Sequence, residues 1–111
     1  MAQFKRIPLP HIKIAAAKMA EAVRPEKIIL FGSYAYGRPN ADSDVDFLLV
    51  VPQNTRKDRH EVYLKASKAL DPHVFPCDIV VRSKRDLPWR IEGGDYFLQD
   101  ILEKGRVLYE R

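Results

Sequence analysis

Apolar residues first recur with a helical period. Ile12, Ala15, Ala16, Met19 and Val23 follow the i, i+3, i+4, i+7, i+11 spacing of one helix face, in a segment that opens at His11. Pro25 ends it, because its ring and missing N–H oppose continuation. The residues before it, Met1 to Pro10, carry two prolines and little pattern and read as a loose or extended lead-in. The pattern then changes to that of strands. Lys27-Ile28-Ile29-Leu30-Phe31 is short, β-branched and apolar, and Gly32-Ser33 ends it. Ser33 to Tyr36 predicts a brief helical turn, and Gly37 to Ser43 a loop of turn-forming residues. Asp44 to Val51 is a second strand closed by Pro52. Its run Phe47-Leu48-Leu49-Val50-Val51 does not alternate, which predicts a central strand covered on both faces.

Thr55-Arg56-Lys57-Asp58 resembles a capping box with Asp in place of Glu or Gln. Val62, Ala66, Ala69 and Leu70 carry helical spacing behind it, and Asp71-Pro72 stops that helix. Val74 to Val81 predicts a third strand, interrupted by Pro76 and with Asp78 in its middle. Ser83-Lys84-Arg85-Asp86 reads as the start of a short helix reaching Trp89, and Gly93-Gly94 breaks the chain. Tyr96, Gln99, Asp100 and Glu103 lie among Phe97, Leu98, Ile101 and Leu102, the pattern of a last amphipathic helix ended by Gly105. Val107-Leu108-Tyr109 adds an edge strand.

Composition narrows the class. A chain of 111 residues fits one domain, 1–111, with one core. Apolar residues at 46% and charged residues at 31% exclude a disordered chain. No apolar run approaches the ~20 residues needed to span a bilayer, and Met1 to Arg6 lacks the apolar core of a secretory signal. A single cysteine, Cys77, excludes an internal disulfide and suits the reducing cytoplasm. The net charge of +4 favours an anion such as ATP, or an acidic partner. The basic residues are scattered rather than clustered, so direct nucleic-acid binding is not expected.

The candidate chemistry lies between the first two strands and on the third. Side chains alternate along a strand, so Asp44 and Asp46 point to one side, their Cβ atoms roughly 6.5 Å apart. Two carboxylates held this way repel each other unless a cation lies between them. Magnesium suits the place, because it takes oxygen ligands and combines one or two carboxylates with substrate phosphates. Asp78 is an acid inside an apolar strand, which is costly unless paired or bound to a cation. If the third strand lies beside the second, Asp78 completes a triad able to hold one or two Mg2+ ions for an in-line displacement at phosphorus. It is also placed to serve as general base for the attacking hydroxyl. Glycine at position 32 lets the backbone approach a phosphate, and the Ser33 hydroxyl can donate to it. Arg38 reads equally as a phosphate contact or as a solvated residue.

At these residues the sequence resembles the minimal nucleotidyltransferases of the DNA polymerase β-like superfamily. The pattern is Gly-Ser, Ala-x-Gly, Ser-Asp-x-Asp before an apolar strand, and a later lone Asp. Here these are Gly32-Ser33, Ala35-Tyr36-Gly37, Ser43-Asp44-Val45-Asp46 and Asp78. The stretch Ile101 to Tyr109 also resembles the closing helix and strand of such domains. The resemblance implies an α/β (α+β) fold, a small mixed β-sheet flanked by helices. It implies a triphosphate held at Gly32 and Ser33, with Ser43 and Arg38 beside it. Asp44 and Asp46 would bind both metals, and Asp78 would bind one. The implied reaction moves AMP from ATP to a hydroxyl and releases pyrophosphate. A chain of this length leaves no room for an acceptor domain, and stand-alone domains of this kind resemble the antitoxin of two-gene toxin–antitoxin modules. The implied partner is then a HEPN-type RNase toxin, silenced by AMP transfer onto a tyrosine. A non-catalytic antitoxin that only sequesters its partner, and a transferase acting on a small molecule or an RNA end as part of an oligomer, stay open.

Other residues carry two readings. Lys84 and Arg85 follow the third strand, where phosphate contact competes with solvation at a helix start, the ordinary case. Arg56-Lys57-Asp58-Arg59-His60 does not have the spacing of a HEPN nuclease motif and reads as a helix start. His11, His60 and His73 have no zinc-ligand spacing. Cys77 points away from Asp78 and reads as a small core residue. Trp89, Tyr96 and Phe97 read equally as core or as an exposed patch for a partner. Tyr34 and Tyr36 read equally as base-stacking groups or as packing against the first helix.

Overall fold

The computed structural model describes residues 4–70 and 75–111. Helix α1 (Leu9–Val23) leads into strand β1 (Lys27–Phe31), a one-turn helix α2 (Ser33–Tyr36) and strand β2 (Val45–Val51). Helix α3 (Arg56–Ala69) crosses to strand β3 (Cys77–Ser83), followed by helices α4 (Leu87–Glu92) and α5 (Tyr96–Lys104) and strand β4 (Arg106–Glu110). The four strands form one mixed sheet in the order β3-β2-β1-β4. β1 runs antiparallel to β2 and β4, and β2 runs parallel to β3.

The central position of β2 follows from its sequence. Five consecutive apolar residues, Phe47 to Val51, are all buried, which only a strand covered on both faces allows. Their side chains alternate between two cores. Val45, Phe47, Leu49 and Val51 join Ile28 and Leu30 of β1 beneath α1 and α3. Leu48 and Val50 join Ile29 and Phe31 beneath Leu98 and Ile101 of α5. The apolar stripe of α1 that the sequence predicts is the one buried: Ile12, Ala15, Ala16 and Met19, with Ala20 added and Val23 at the margin. The helix begins at Leu9 rather than His11, since Pro10 is tolerated in a first turn whose N–H groups lack partners anyway.

Thr55 caps α3 as its sequence suggests, its Oγ1 accepting from the Asp58 N–H at 3.1 Å. Three readings need correction. Pro76 precedes β3 instead of interrupting it, and Asp78 is the second residue of that strand rather than its middle. β3 continues to Ser83, because the Lys84 N–H donates to the Val51 carbonyl at 2.8 Å and the Ser83 hydroxyl donates to Asn54 Oδ1 at 2.8 Å. Lys84 to Asp86 therefore forms a turn, and α4 starts at Leu87. The predicted stop at Asp71-Pro72, the start of the third strand at Val74, and His73 lie outside the described residues.

Candidate active site

Strand register builds the site. Phe31, the last residue of β1, pairs with Asp46, and Asp46 in turn pairs with Asp78 across the parallel β2–β3 ladder. Adjacent strands lie about 4.8 Å apart, so the Asp46 and Asp78 backbones are immediate neighbours. Alternation then fixes their side. Asp46 precedes Leu48 by two residues and Asp78 precedes Val80 by two, so both acids project from the face packed against α5. Asp44 stands two residues before Asp46, just outside the strand and exposed. Asp78 is also exposed, whereas Asp46 is half-buried between them.

The Gly32 turn closes on the same place. Gly32 follows Phe31 with φ +74° and ψ −158°, a conformation that glycine adopts and side-chain-bearing residues avoid. A Cβ at Gly32 would run into the Asp46 carboxylate at Oδ2, so the backbone here lies directly on the acid. Gly37 is required for space: a Cβ there would come within 2.8 Å of Ser33 Cα. The intervening Ala35 and Tyr36 N–H groups donate to the Gly32 carbonyl at 3.0 and 3.1 Å, winding the turn that carries Ser33. The Ser43 hydroxyl accepts from the Asn40 N–H at 2.9 Å, and so pins the loop on which Asp44 stands. Arg38 lies exposed beyond Gly37.

Electrostatics shows that Asp46 senses its surroundings. Burial first, then the charges of Asp78 and Asp44, push the Asp46 carboxyl from 3.8 up to about 6. Among the described residues no group of three His, Cys, Asp or Glu side chains is placed to hold a metal ion by itself, so Asp44, Asp46 and Asp78 do not form a ready-made ligand set. The acids stand instead on an open sheet end, which fits magnesium, an ion that keeps waters and takes phosphate oxygens beside one or two carboxylates. A divalent cation would offset both the burial of the charge and the repulsion that raise Asp46. Cys77, beside Asp78, turns to the other core, and burial together with Asp44 and Asp78 pushes its thiol up, keeping it protonated and inert.

One consequence is measurable without metal. Between 3.8 and about 6 the folded chain holds a proton on Asp46 that the unfolded chain has released, so stability falls as pH rises through that window. After allowance for solvent screening at a half-exposed carboxylate, the loss is on the order of 1 kcal/mol. Thermal melts of the metal-free chain at the two ends of the window, set against Asp46→Asn, should show the variant gaining relative stability at the higher pH. A difference that stays flat across the window rules out the raised Asp46 carboxyl.

Other candidates are resolved by burial. Tyr34 is buried in the core under α1, its hydroxyl accepting from the Ile7 N–H at 3.3 Å, so it packs. Tyr36 is exposed. Lys84 pairs with Glu26 at 3.7 Å at the opposite end of β3 from Asp78, away from the acids. Trp89, Tyr96 and Phe97 are exposed at 59, 77 and 50%, with Phe97 set edge-on against Phe31 at 5.6 Å. Sequence reasoning missed the crowding of arginines around the far end of β3, because Arg56, Arg59, Arg82 and Arg90 are scattered along the chain and meet only in the fold.

A mixed sheet that brings a Gly-Ser turn and separated aspartates to one end is the architecture of a nucleotidyltransferase. The chain belongs to that family: the model of the nucleotidyltransferase domain matches residues 12–108. It is 34% identical over 96 residues to a proposed protein adenylyltransferase of Methanocaldococcus jannaschii, covering 86% of this chain and 90% of that protein. Its fold is similar to that of a proposed nucleotidyltransferase from Sulfolobus solfataricus, with a TM-score of 0.60 at 20% identity over 93% of this chain and 80% of the other. It is also similar in fold to a mutant of the toxin–antitoxin MntA–HpeT, with a TM-score of 0.54 at 20% identity. A toxin–antitoxin with AMP-PNP gives a TM-score of 0.55 at 22% identity. Each of these two alignments covers 89% of this chain and 73% of the other. No described helix is long and apolar enough to cross a membrane.

Proposed function

We propose that this chain is a magnesium-dependent protein adenylyltransferase that transfers AMP from ATP to a tyrosine of a HEPN-type toxin and thereby acts as its antitoxin. The observation that carries the reading is the register Phe31–Asp46–Asp78, which pairs Asp46 with Asp78 across neighbouring strands and puts the Asp46 carboxylate against the Gly32 backbone. Asp44, Asp46 and Asp78 would hold one or two Mg2+ ions, which would polarise the α-phosphate and neutralise the leaving pyrophosphate. Gly32 and Ser33 bind the triphosphate, Ser43 fixes the loop carrying Asp44, and Arg38 lies free to meet a phosphate. Asp78, exposed at the strand start, accepts the proton of the acceptor hydroxyl. The hydroxyl oxygen forms its bond to the α-phosphorus as the bond from that phosphorus to the pyrophosphate oxygen breaks.

The relatives support the substrate class. One carries the name of a protein adenylyltransferase, and one toxin–antitoxin structure is with an ATP analogue. The MntA–HpeT structure is of a mutant with two aspartates, separated by a single residue, exchanged for glutamate, and Asp44 and Asp46 have that spacing here. The exposed Trp89, Tyr96 and Phe97 offer an apolar surface for a protein partner. Labelled ATP, magnesium, this chain and the HEPN-type protein encoded beside it should together give a partner labelled on tyrosine, mapped by mass spectrometry. A partner that stays unlabelled yet is neutralised without ATP would establish the sequestering reading in its place.

A further inference from the structure

The far end of β3 carries a second feature of a different charge. β3 is an edge strand, and its C-terminal end lies between the first turns of α3 and the start of α4. A cleft of about 390 Å³ opens there, within the range of small-ligand sites. Arg56 and Arg59 line it from α3, Arg82 from β3 and Arg90 from α4, against one lining carboxylate, Asp86. Asp86 accepts a hydrogen bond from Trp89 Nε1 at 3.3 Å, so part of its charge is already engaged.

The arginines are incompletely satisfied. Arg82 Nε and Arg90 Nε are both buried with no hydrogen-bond partner. Buried N–H groups of a cation left unpaired are costly, and charged donors favour oxyanion acceptors. Arg82 Nη1 donates to the adjacent Val81 carbonyl at 3.0 Å, and Arg59 Nη1 to the Asn54 carbonyl at 2.6 Å. Arg90 has a long ion pair of 3.9 Å to Asp95. Burial, and then the charge of Arg90, hold the Arg82 guanidinium below its ordinary range, with Arg59 adding to the repulsion and Asp95 opposing it. Arg56 and Arg59 also stand in the first turn of α3, where the helix dipole disfavours cations and favours an anion.

We propose that this cleft is a second anion site, which binds a ligand carrying clustered phosphate oxyanions between Arg56, Arg59, Arg82 and Arg90. It is separate from the carboxylates: Arg82 lies four residues along β3 from Asp78, roughly 13 Å away. The oxyanions complete the buried Nε donors and cancel the repulsion among the guanidinium groups. Tyr63 and His60, stacked at 6.2 Å between centroids, line the cleft and offer ring faces to a nucleoside attached to the phosphates, and Trp89 adjoins it through its hydrogen bond to the lining Asp86.

Trp89 is the chain's one tryptophan, and the Arg90 guanidinium lies over its ring at 5.4 Å, so its emission reports on the cleft. The whole chain is titrated with sodium tripolyphosphate in EDTA, which keeps the carboxylate site metal-free and repulsive to anions. A parallel titration uses single-stranded oligouridylate. Saturable binding is expected, weakened at least about tenfold in Arg82→Gln/Arg90→Gln by calorimetry, as loss of charge-assisted hydrogen bonds requires. Arg56→Gln/Arg59→Gln, which leaves the surroundings of Trp89 intact, should weaken it similarly by fluorescence. Lys65→Gln/Lys68→Gln, with the same charge change on exposed positions of α3, should bind as the native chain does. Preference for tripolyphosphate assigns a compact polyphosphate, and preference for the oligonucleotide assigns a phosphodiester backbone; either supports the site. Absence of saturable binding, or equal weakening by the lysine and arginine pairs, overturns it.

Discussion

Asp46→Asn is expected to reduce the proposed AMP transfer by about 10³-fold or more while leaving the fold intact. The carboxylate sits between Asp44 and Asp78 and against the Gly32 backbone, so it is the one acid that every part of the site shares. Asparagine keeps the shape and removes the charge, so affinity for divalent cations falls with the rate. Stability should move the other way. The neutral amide escapes the cost of burying a charge, and then the repulsion from Asp78 and Asp44, which together raise the native carboxyl, so the metal-free variant should melt at or above the native temperature at neutral pH. Asp44→Asn should show a comparable loss of rate with a smaller change in stability, since Asp44 is exposed. Transfer rates with saturating ATP and magnesium, read beside thermal melts, test the pair. Native-like transfer by both variants would remove the carboxylates from the chemistry.

Gly32→Ala is expected to cost about 2–3 kcal/mol of stability and roughly 10²-fold in transfer rate. Two independent causes act at one atom. The backbone angles of +74° and −158° lie in a region that L-residues scarcely populate. The new methyl group would also collide with Asp46 Oδ2, and the carboxylate would have to leave its place beside Asp78. Urea unfolding gives the first quantity, and the transfer rate gives the second. Misplacement of a reacting group by about 1 Å is enough for a loss of that size. An alanine variant with native stability and rate would show that the turn does not press on the acid.

These two residues also show how far the sequence can be read. The Gly-Ser pair and the Asp-x-Asp are local patterns, so the run of residues alone displays them. The strands β1 and β2 are legible for the same reason: Lys27–Phe31 matches its prediction at both ends, and β2 differs by one residue. Among the described residues the third strand begins only at Cys77, after Phe75 and Pro76, and ends later than its apolar pattern predicts, so Asp78 lies near its beginning. Pro76 and Cys77 look like strand interior when only apolar character is counted. Pro76 has no N–H to give a ladder, yet its carbonyl accepts from the Val45 N–H at 3.0 Å and leads the parallel pairing in. The even choice for Tyr34 between stacking and packing is settled by Ile7, 27 residues away in the chain, whose N–H reaches the phenol.

The sequence by itself determined the elements, the apolar faces that must be covered, and the residues proposed to hold a metal and a triphosphate. Periodicity, turn residues and motif spacing are properties of neighbouring residues, and neighbours are what a sequence displays. Tertiary structure alone decided that Asp78 lies beside Asp46, that Gly32 lies on the carboxylate, and that four distant arginines share a cleft. Strand register and helix packing bring together residues dozens of positions apart, and they are fixed by the burial of both faces of β2 at once, a constraint of the whole chain that no short stretch contains.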